Sequence, residues 1–120
     1  MNKRTQLRHG GPQLGPVLAL QELLTEYPEL PPLFWHLDRA GRLSGDVHDN
    51  LDGLDVRAVL AAYVAVLGGE PTEPARYEHL GVSRVGQHLT VAWRDVQIHL
   101  STHADISAYP ELNSLQEVAA

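Results

Sequence analysis

Residues 87–105, QHLTVAWRDVQIHLSTHAD, alternate between apolar and polar side chains over two successive runs. A period of two is the spacing of a β-strand, in which successive side chains point to opposite faces of the sheet. A two-residue turn at Arg94 and Asp95 pairs the two runs as a hairpin. Trp93 then lies opposite Val96, and the large apolar side chains share one face. The stretch therefore predicts an antiparallel hairpin with one apolar and one polar face.

Histidines are concentrated on the polar face of this hairpin. The register places Thr90 opposite His99. It also places His88 opposite Ser101, and His88 becomes a diagonal neighbour of His99 at a backbone separation of about 7 Å. His103 follows four residues after His99 on the same face. The polar face is thus predicted to hold three imidazoles beside two hydroxyls.

Two tetrapeptides on this face, HLTV and HLST, match a His-x-Thr/Ser motif and resemble the paired signature of the two-histidine phosphoesterases. The resemblance implies that His88 and His99 act as acid and base on a phosphodiester. It also implies that the hydroxyls of Thr90 and Ser101 hold the phosphoryl group. A small phosphoesterase or ligand binder that uses this face is therefore one alternative for the function.

A metal ion at these histidines is not expected from the sequence. The chain contains no cysteine, so any metal site needs imidazole and carboxylate ligands. A site built on histidines recruits a third and a fourth ligand, and no acid alternates onto this face between residues 88 and 103. The segment HDNLDGLDV lacks the first and last acids of a calcium-binding loop. The sequence therefore predicts neither a metal nor another cofactor.

The segment LFWHLDRAGRLSGDV, residues 33–47, predicts another hairpin. A three-residue loop that ends at Gly41, which can adopt a left-handed conformation, sets Leu37 opposite Leu43. Shorter or longer loops would set Leu37 against a polar residue. With the three-residue loop, Trp35 points to the apolar face.

Two helices are predicted from apolar residues that recur at spacings of three and four. In the first helix, whose first turn can contain Pro16, the stripe consists of Leu20, Leu23, Leu24 and Tyr27. In the second helix it consists of Val56, Val59, Leu60, Tyr63, Val64 and Leu67. The order α-β-β-α-β-β predicts an α+β fold, with an antiparallel sheet of four to five strands, made of two hairpins, packed on two helices. Residues 75–80 are compatible with either a short strand or a loop.

The length of the chain fits one domain. Residues 1–15 are predicted to form a flexible basic arm, residues 16–106 a single α+β domain, and residues 107–120 a C-terminal tail that can form a frayed helix. No apolar stretch reaches the roughly 20 residues of a membrane span, and no signal peptide is recognisable. These features predict a cytoplasmic protein without membrane contact.

Charge is distributed unevenly along the chain. Lys3, Arg4 and Arg8 give the first nine residues a charge of +3, and the other 111 residues carry six arginines and fifteen acids, or −9, for a sum of −6. Such an acidic body repels nucleic acid. Nucleic-acid binding is therefore not favoured, and the basic arm is the alternative that would supply it.

An exposed aromatic side chain on a polar face is typical of a partner-binding surface. The first hairpin turns Phe34 onto its polar face beside His36, and Arg94 lies on the turn of the second hairpin. These three are the predicted partner-binding residues. The leading hypothesis is a small non-enzymatic interaction or regulatory module, which binds an unidentified protein or forms a homodimer.

The succession of LLTEYPELPPLFWHLDRAGRLSGDV, an Ala/Val helix ending in LGGE, and LTVAWRDVQIHLS resembles small uncharacterised proteins that are common in high-GC actinobacteria and in their phages and plasmids. The resemblance covers residues 17–103. It implies a compact α+β fold but no settled activity, so it does not choose between the functions above.

Overall fold

A five-stranded sheet forms the centre of the molecule. The computed structural model describes residues 11–49 and 53–112. The strands are Phe34–Leu37 (β1), Leu43–His48 (β2), Ala75–His79 (β3), Val82–Trp93 (β4) and Val96–Asp105 (β5). Their spatial order is β1-β2-β5-β4-β3, so the last strand of the chain lies in the middle of the sheet.

The hairpin of β4 and β5 has the predicted register. Trp93 pairs with Val96 across the turn. Arg94 and Asp95 have φ angles of 53° and 66°. Two successive left-handed residues give the turn whose twist matches that of the flanking strands. The predicted two-residue turn is confirmed.

The hairpin of β1 and β2 also has the predicted register. Leu37 pairs with Leu43. The backbone N–H of Asp38 donates to the carbonyl oxygen of Arg42 at 3.1 Å, which closes a three-residue loop. Gly41 has a φ of +89°, the left-handed conformation that this loop requires.

Strands β2 and β5 run parallel, so the prediction of a wholly antiparallel sheet is wrong. Their register runs from the pair Leu43 and Ile98 to the pair His48 and His103. Alternation with a period of two fixes the face that each side chain occupies, but it is the same for parallel and antiparallel neighbours. The direction in which the two hairpins meet was therefore not determined by the pattern. The sheet is mixed, with one parallel pair.

Residues Ala75–His79 form β3, which the sequence left open between a strand and a loop, so the predicted order α-β-β-α-β-β lacks one strand before the last hairpin. This strand pairs antiparallel with β4 through a turn at Leu80 and Gly81, both of which have positive φ. All five residues of β3 are exposed. Leu80 is 90% exposed. The β3 edge of the sheet therefore extends beyond the region on which the helices pack.

Two α-helices pack on one face of the sheet. They are Leu14–Glu26 (α1) and Val56–Leu67 (α2). One buried cluster joins both helices to the inward side chains of β2, β4 and β5; its members include Leu23, Leu43, Val47, Leu60, Tyr63, Leu89, Ile98 and Leu100. The arrangement of helices on one side of the sheet gives the α+β layers that the sequence predicts.

Helix α1 buries a stripe that differs from the predicted one. It begins at Leu14, so Pro16 lies in its first turn as predicted. Ala19 and Leu23 are buried, whereas Leu24 is 43% exposed. Because leucines occur on more than one side of this helix, the spacing alone did not determine which side faces the sheet.

Helix α2 follows its predicted pattern closely. The buried residues are Val56, Val59, Leu60, Tyr63 and Leu67. The carboxylate of Asp55 caps the first turn and accepts hydrogen bonds from the backbone N–H groups of Arg57 and Ala58. Gly68, with a φ of +82°, follows the last turn.

The ends of the described chain carry short helical turns. A 3-10 turn at Gly11–Gln13 precedes α1, another at Ile106–Ala108 follows β5, and residues 110–112 are helical. Most of the predicted arm and tail, residues 1–10 and 113–120, lies outside the described residues. Among the described helices none is long and apolar enough to cross a bilayer.

Candidate functional site

The candidate site is the face of the sheet that points away from α1 and α2, here called the uncovered face. Strand alternation and register determine which side chains lie on it. It holds six of the seven histidines of the chain: His36, His48, His79, His88, His99 and His103. The seventh, His9, lies outside the described residues. A histidine-rich face is thus the main feature of this side of the sheet.

The parallel pairing of β2 with β5 brings together histidines from distant parts of the sequence. Ser44 pairs with His99, and His48 pairs with His103. Thr90 pairs with His99 from the other side. Neighbouring strands lie about 4.8 Å apart, so paired side chains on one face are within contact distance.

The predicted histidine pair of the second hairpin is present. The rings of His88 and His99 stack, with centroids 5.3 Å apart and planes at 24°. The hydroxyl of Thr90 is hydrogen-bonded to Nδ1 of His99 at 2.9 Å. Partial burial lowers the pKa of His88, and the nearby charge of His99 lowers it further. Both effects favour the neutral ring of His88.

The four residues selected by the resemblance to the two-histidine phosphoesterases lie side by side, because His88 pairs with Ser101 and Thr90 with His99. Their assignment as acid, base and phosphate-binding residues stays a prediction. An imidazole exchanges protons through its ring nitrogens, which lie in the plane of the ring. Because the rings of His88 and His99 stack with centroids 5.3 Å apart, a phosphoryl group would have to lie at their edges and not between their faces. The Thr90 hydroxyl is also engaged by His99.

Asp46, His48 and His103 form a second group on the uncovered face, here called the Asp46–His48–His103 cluster. The rings of His48 and His103 stack, with centroids 4.4 Å apart and planes at 15°. Oδ2 of Asp46 is 3.4 Å from Nε2 of His48. One potential ligand atom from each of the three residues lies within 4.8 Å of the other two. Two imidazoles and a carboxylate are donors that first-row transition metals accept.

His103 is held in place by Tyr77 of β3. The Tyr77 hydroxyl is hydrogen-bonded to Nδ1 of His103 at 3.0 Å. The two rings meet edge to face, with centroids 6.2 Å apart. Burial lowers the pKa of His103, and the charge of His48 lowers it further, while Asp46 raises it. The ring therefore favours its neutral form, which offers a lone pair to a ligand.

Sequence reasoning missed this cluster. It expected no metal because it considered only acids between residues 88 and 103. In the assembled sheet an acid does lie on this face, because Asp46 of β2 is adjacent to β5. The signal was present in the alternation of LSGDVH, which turns Asp46 and His48 to one side. The adjacency of β2 and β5 was the missing information.

Two adjoining clefts open on the uncovered face, with volumes of about 520 and 410 Å³. They share Ser44 and His99. The larger is also lined by Asp38, Arg42, Thr90 and Gln97, and the smaller by Phe34, His36, Asp46 and Ser101. The clefts give this face two recesses whose walls carry both polar groups and apolar surface, and Phe34 adds an aromatic ring to the smaller one.

The structure separates the three predicted partner-binding residues. Phe34, 60% exposed, and His36 line the same cleft. Arg94 lies on the helical side instead, where it donates hydrogen bonds to Glu22 at 3.1 Å and to Glu26 at 2.7 Å. Arg94 therefore ties the β4–β5 turn to α1, whereas Phe34 and His36 belong to the uncovered face.

Other arginines of the described chain are also paired with acids. Arg84 lies 3.1 Å from Asp49, and Arg57 lies 3.0 Å from Glu111. Neutralised guanidinium groups contribute little to a phosphate-binding surface. The basic arm that would support nucleic-acid binding lies mostly outside the described residues.

Comparisons of this chain with protein-family models, with curated proteins and with solved structures find no match. The resemblance to small actinobacterial proteins therefore stays a prediction.

Proposed function

We propose that this protein is a non-enzymatic interaction module that binds a partner protein on its uncovered face. The proposal is carried by one observation: six imidazoles and the exposed ring of Phe34 share a sheet face that no helix of the described chain covers. An exposed aromatic ring on a face crowded with imidazoles is typical of a surface that binds a partner.

The chemistry of the uncovered face suits a protein partner. A neutral imidazole offers one hydrogen-bond donor, one acceptor and two apolar ring faces. Aromatic side chains are enriched at protein interfaces, and charged side chains are depleted in their centres. Phe34 stands beside a cleft as an exposed anchor, and the charges of Asp38 and Arg42 are paired at 3.1 Å. The clefts then accept side chains of the partner.

A site-specific photo-cross-linker tests this proposal. We expect a benzophenone amino acid at Phe34 to yield a covalent adduct when the protein is expressed and irradiated in its own host. The same group at Ala61, which is exposed on α2, is the matched control and should yield no adduct. Adducts are detected by gel shift and identified by mass spectrometry.

A further substitution ties the adduct to the clefts. His99→Ala removes the ring that both clefts share and should reduce the yield from position 34. An adduct at twice the mass of the chain identifies the partner as a second copy. Absence of an adduct from position 34, or an equal yield from position 61, would contradict the proposal.

A further inference from the structure

We propose that the Asp46–His48–His103 cluster is a binding site for one divalent transition-metal ion of the Zn²⁺ type. The site lies beside the clefts but does not depend on a partner, because all three ligands belong to this chain. The inference goes beyond the proposed interaction function and can hold without it.

The donor set determines the class of ion. Two imidazole nitrogens and one carboxylate oxygen suit zinc and its first-row neighbours, whereas calcium and magnesium prefer oxygen ligands alone. The chain contains no cysteine that would compete for the ion. Three protein ligands form an incomplete zinc shell, which water usually completes.

The geometry of β2 and β5 brings the three side chains together on one face of the sheet. Asp46 and His48 are two residues apart on β2, so they point to the same face. His103 is the partner of His48 in the parallel register. The three ligands therefore lie on two adjacent strands, and the backbone hydrogen bonds between these strands fix the positions of their Cα atoms.

The distances are close to those of a bound ion. Zinc–ligand bonds of about 2.0–2.1 Å in a tetrahedron hold ligand atoms about 3.4 Å apart. The 3.4 Å between Oδ2 of Asp46 and Nε2 of His48 already meets this separation. All three ligand atoms lie within 4.8 Å of one another. Rotation of His48 and Asp46 about their side-chain bonds opens the stack of the two rings and closes the remaining gap, while His103 keeps its contact with Tyr77.

Tyr77 supplies an outer contact that metal sites commonly contain. A metal-bound imidazole binds the ion through one ring nitrogen and donates its other N–H to a neighbouring acceptor. The Tyr77 oxygen lies 3.0 Å from Nδ1 of His103, in the position of that acceptor. This contact leaves Nε2 of His103 for the ion.

The cluster is also accessible to an ion from solvent. The side chains of His48 and Asp46 are 29% and 42% exposed. The remaining coordination position of the ion is therefore open to water. It is equally open to a carboxylate or imidazole of a molecule bound to the uncovered face.

Calorimetric titration with Zn²⁺ tests the site. The full chain, without an affinity tag and stripped of metal by a chelator, should bind one equivalent. His48→Gln and Asp46→Asn should each weaken binding at least about tenfold, since even loss of an outer contact has that effect. Tyr77→Phe should weaken binding by a smaller factor than either ligand change.

His99→Gln is the matched control, because His99 belongs to the other stacked pair and should leave stoichiometry and affinity unchanged. Circular dichroism checks that each variant is folded. Co²⁺ provides a second readout, since a tetrahedral complex absorbs visible light and His48→Gln should abolish that band.

The site is rejected if the folded chain binds no stoichiometric Zn²⁺, or if His99→Gln weakens binding as much as His48→Gln does. Zinc binding with no cross-linked partner would reject only the interaction function. The reverse result would reject only the metal site.

Discussion

Replacement of Ile98 by alanine is expected to lower the free energy of unfolding by about 2–5 kcal/mol. Ile98 lies in the middle of β5 with 0% exposure, within the cluster that joins both helices to the sheet. Removal of its outer carbon atoms loses burial and leaves a cavity that packed neighbours fill only in part. Urea denaturation at equilibrium measures the change, and Ile98→Val should cost about 0.5–1.5 kcal/mol.

The neighbouring residue provides the matched control. His99 is exposed on the uncovered face, so His99→Ala should change stability by less than about 1 kcal/mol despite the loss of its contact with Thr90. Similar losses for positions 98 and 99 would contradict the assignment of the two faces.

Replacement of Gly41 by alanine is expected to lower stability by about 2–4 kcal/mol. Gly41 has a φ of +89°, a conformation that strains a residue with a Cβ atom. The added methyl group would also overlap the carbonyl oxygen of Pro12, which is backbone and moves only with the segment before α1. Thermal or urea unfolding measures the loss.

Gly81 separates these two effects. It has a φ of +79°, and a Cβ atom there would meet nothing within 4 Å. Gly81→Ala should therefore cost only the backbone strain, about 1–2 kcal/mol. Equal losses at Gly41 and Gly81 would show that the contact with Pro12 contributes nothing.

Local features of the fold were predictable because they depend on neighbouring residues. The alternation in 87–105 and the turn at Arg94 fixed the register of one hairpin, and Gly41 fixed the loop of the other. The spacing of apolar residues fixed the buried side of α2, where one side alone is continuously apolar. In each case only one local arrangement buries the apolar set.

Long-range features were not predictable from the same patterns. The alternation of β2 is satisfied by a parallel or an antiparallel neighbour, so the contact of His48 with His103 could not be derived. The placement of Arg94 depended on the orientation of α1, since Glu22 and Glu26 come from that helix. The pair of His88 and His99 therefore followed from the hairpin, whereas the contact of His48 with His103 required the pairing of β2 with β5.

Disulfide trapping examines that pairing directly, in a chain that contains no cysteine of its own. Ser44 and His99 are parallel partners, and adjacent strands place their Cα atoms within the range that a disulfide spans. The double substitution Ser44→Cys and His99→Cys should oxidise to an intramolecular disulfide, as measured by intact mass and thiol counting. Ser44→Cys with His103→Cys should remain reduced, because His103 lies four residues, or about 13 Å, further along β5. A bridge between positions 44 and 103, or none between 44 and 99, would contradict the parallel pairing on which the metal cluster and the clefts depend.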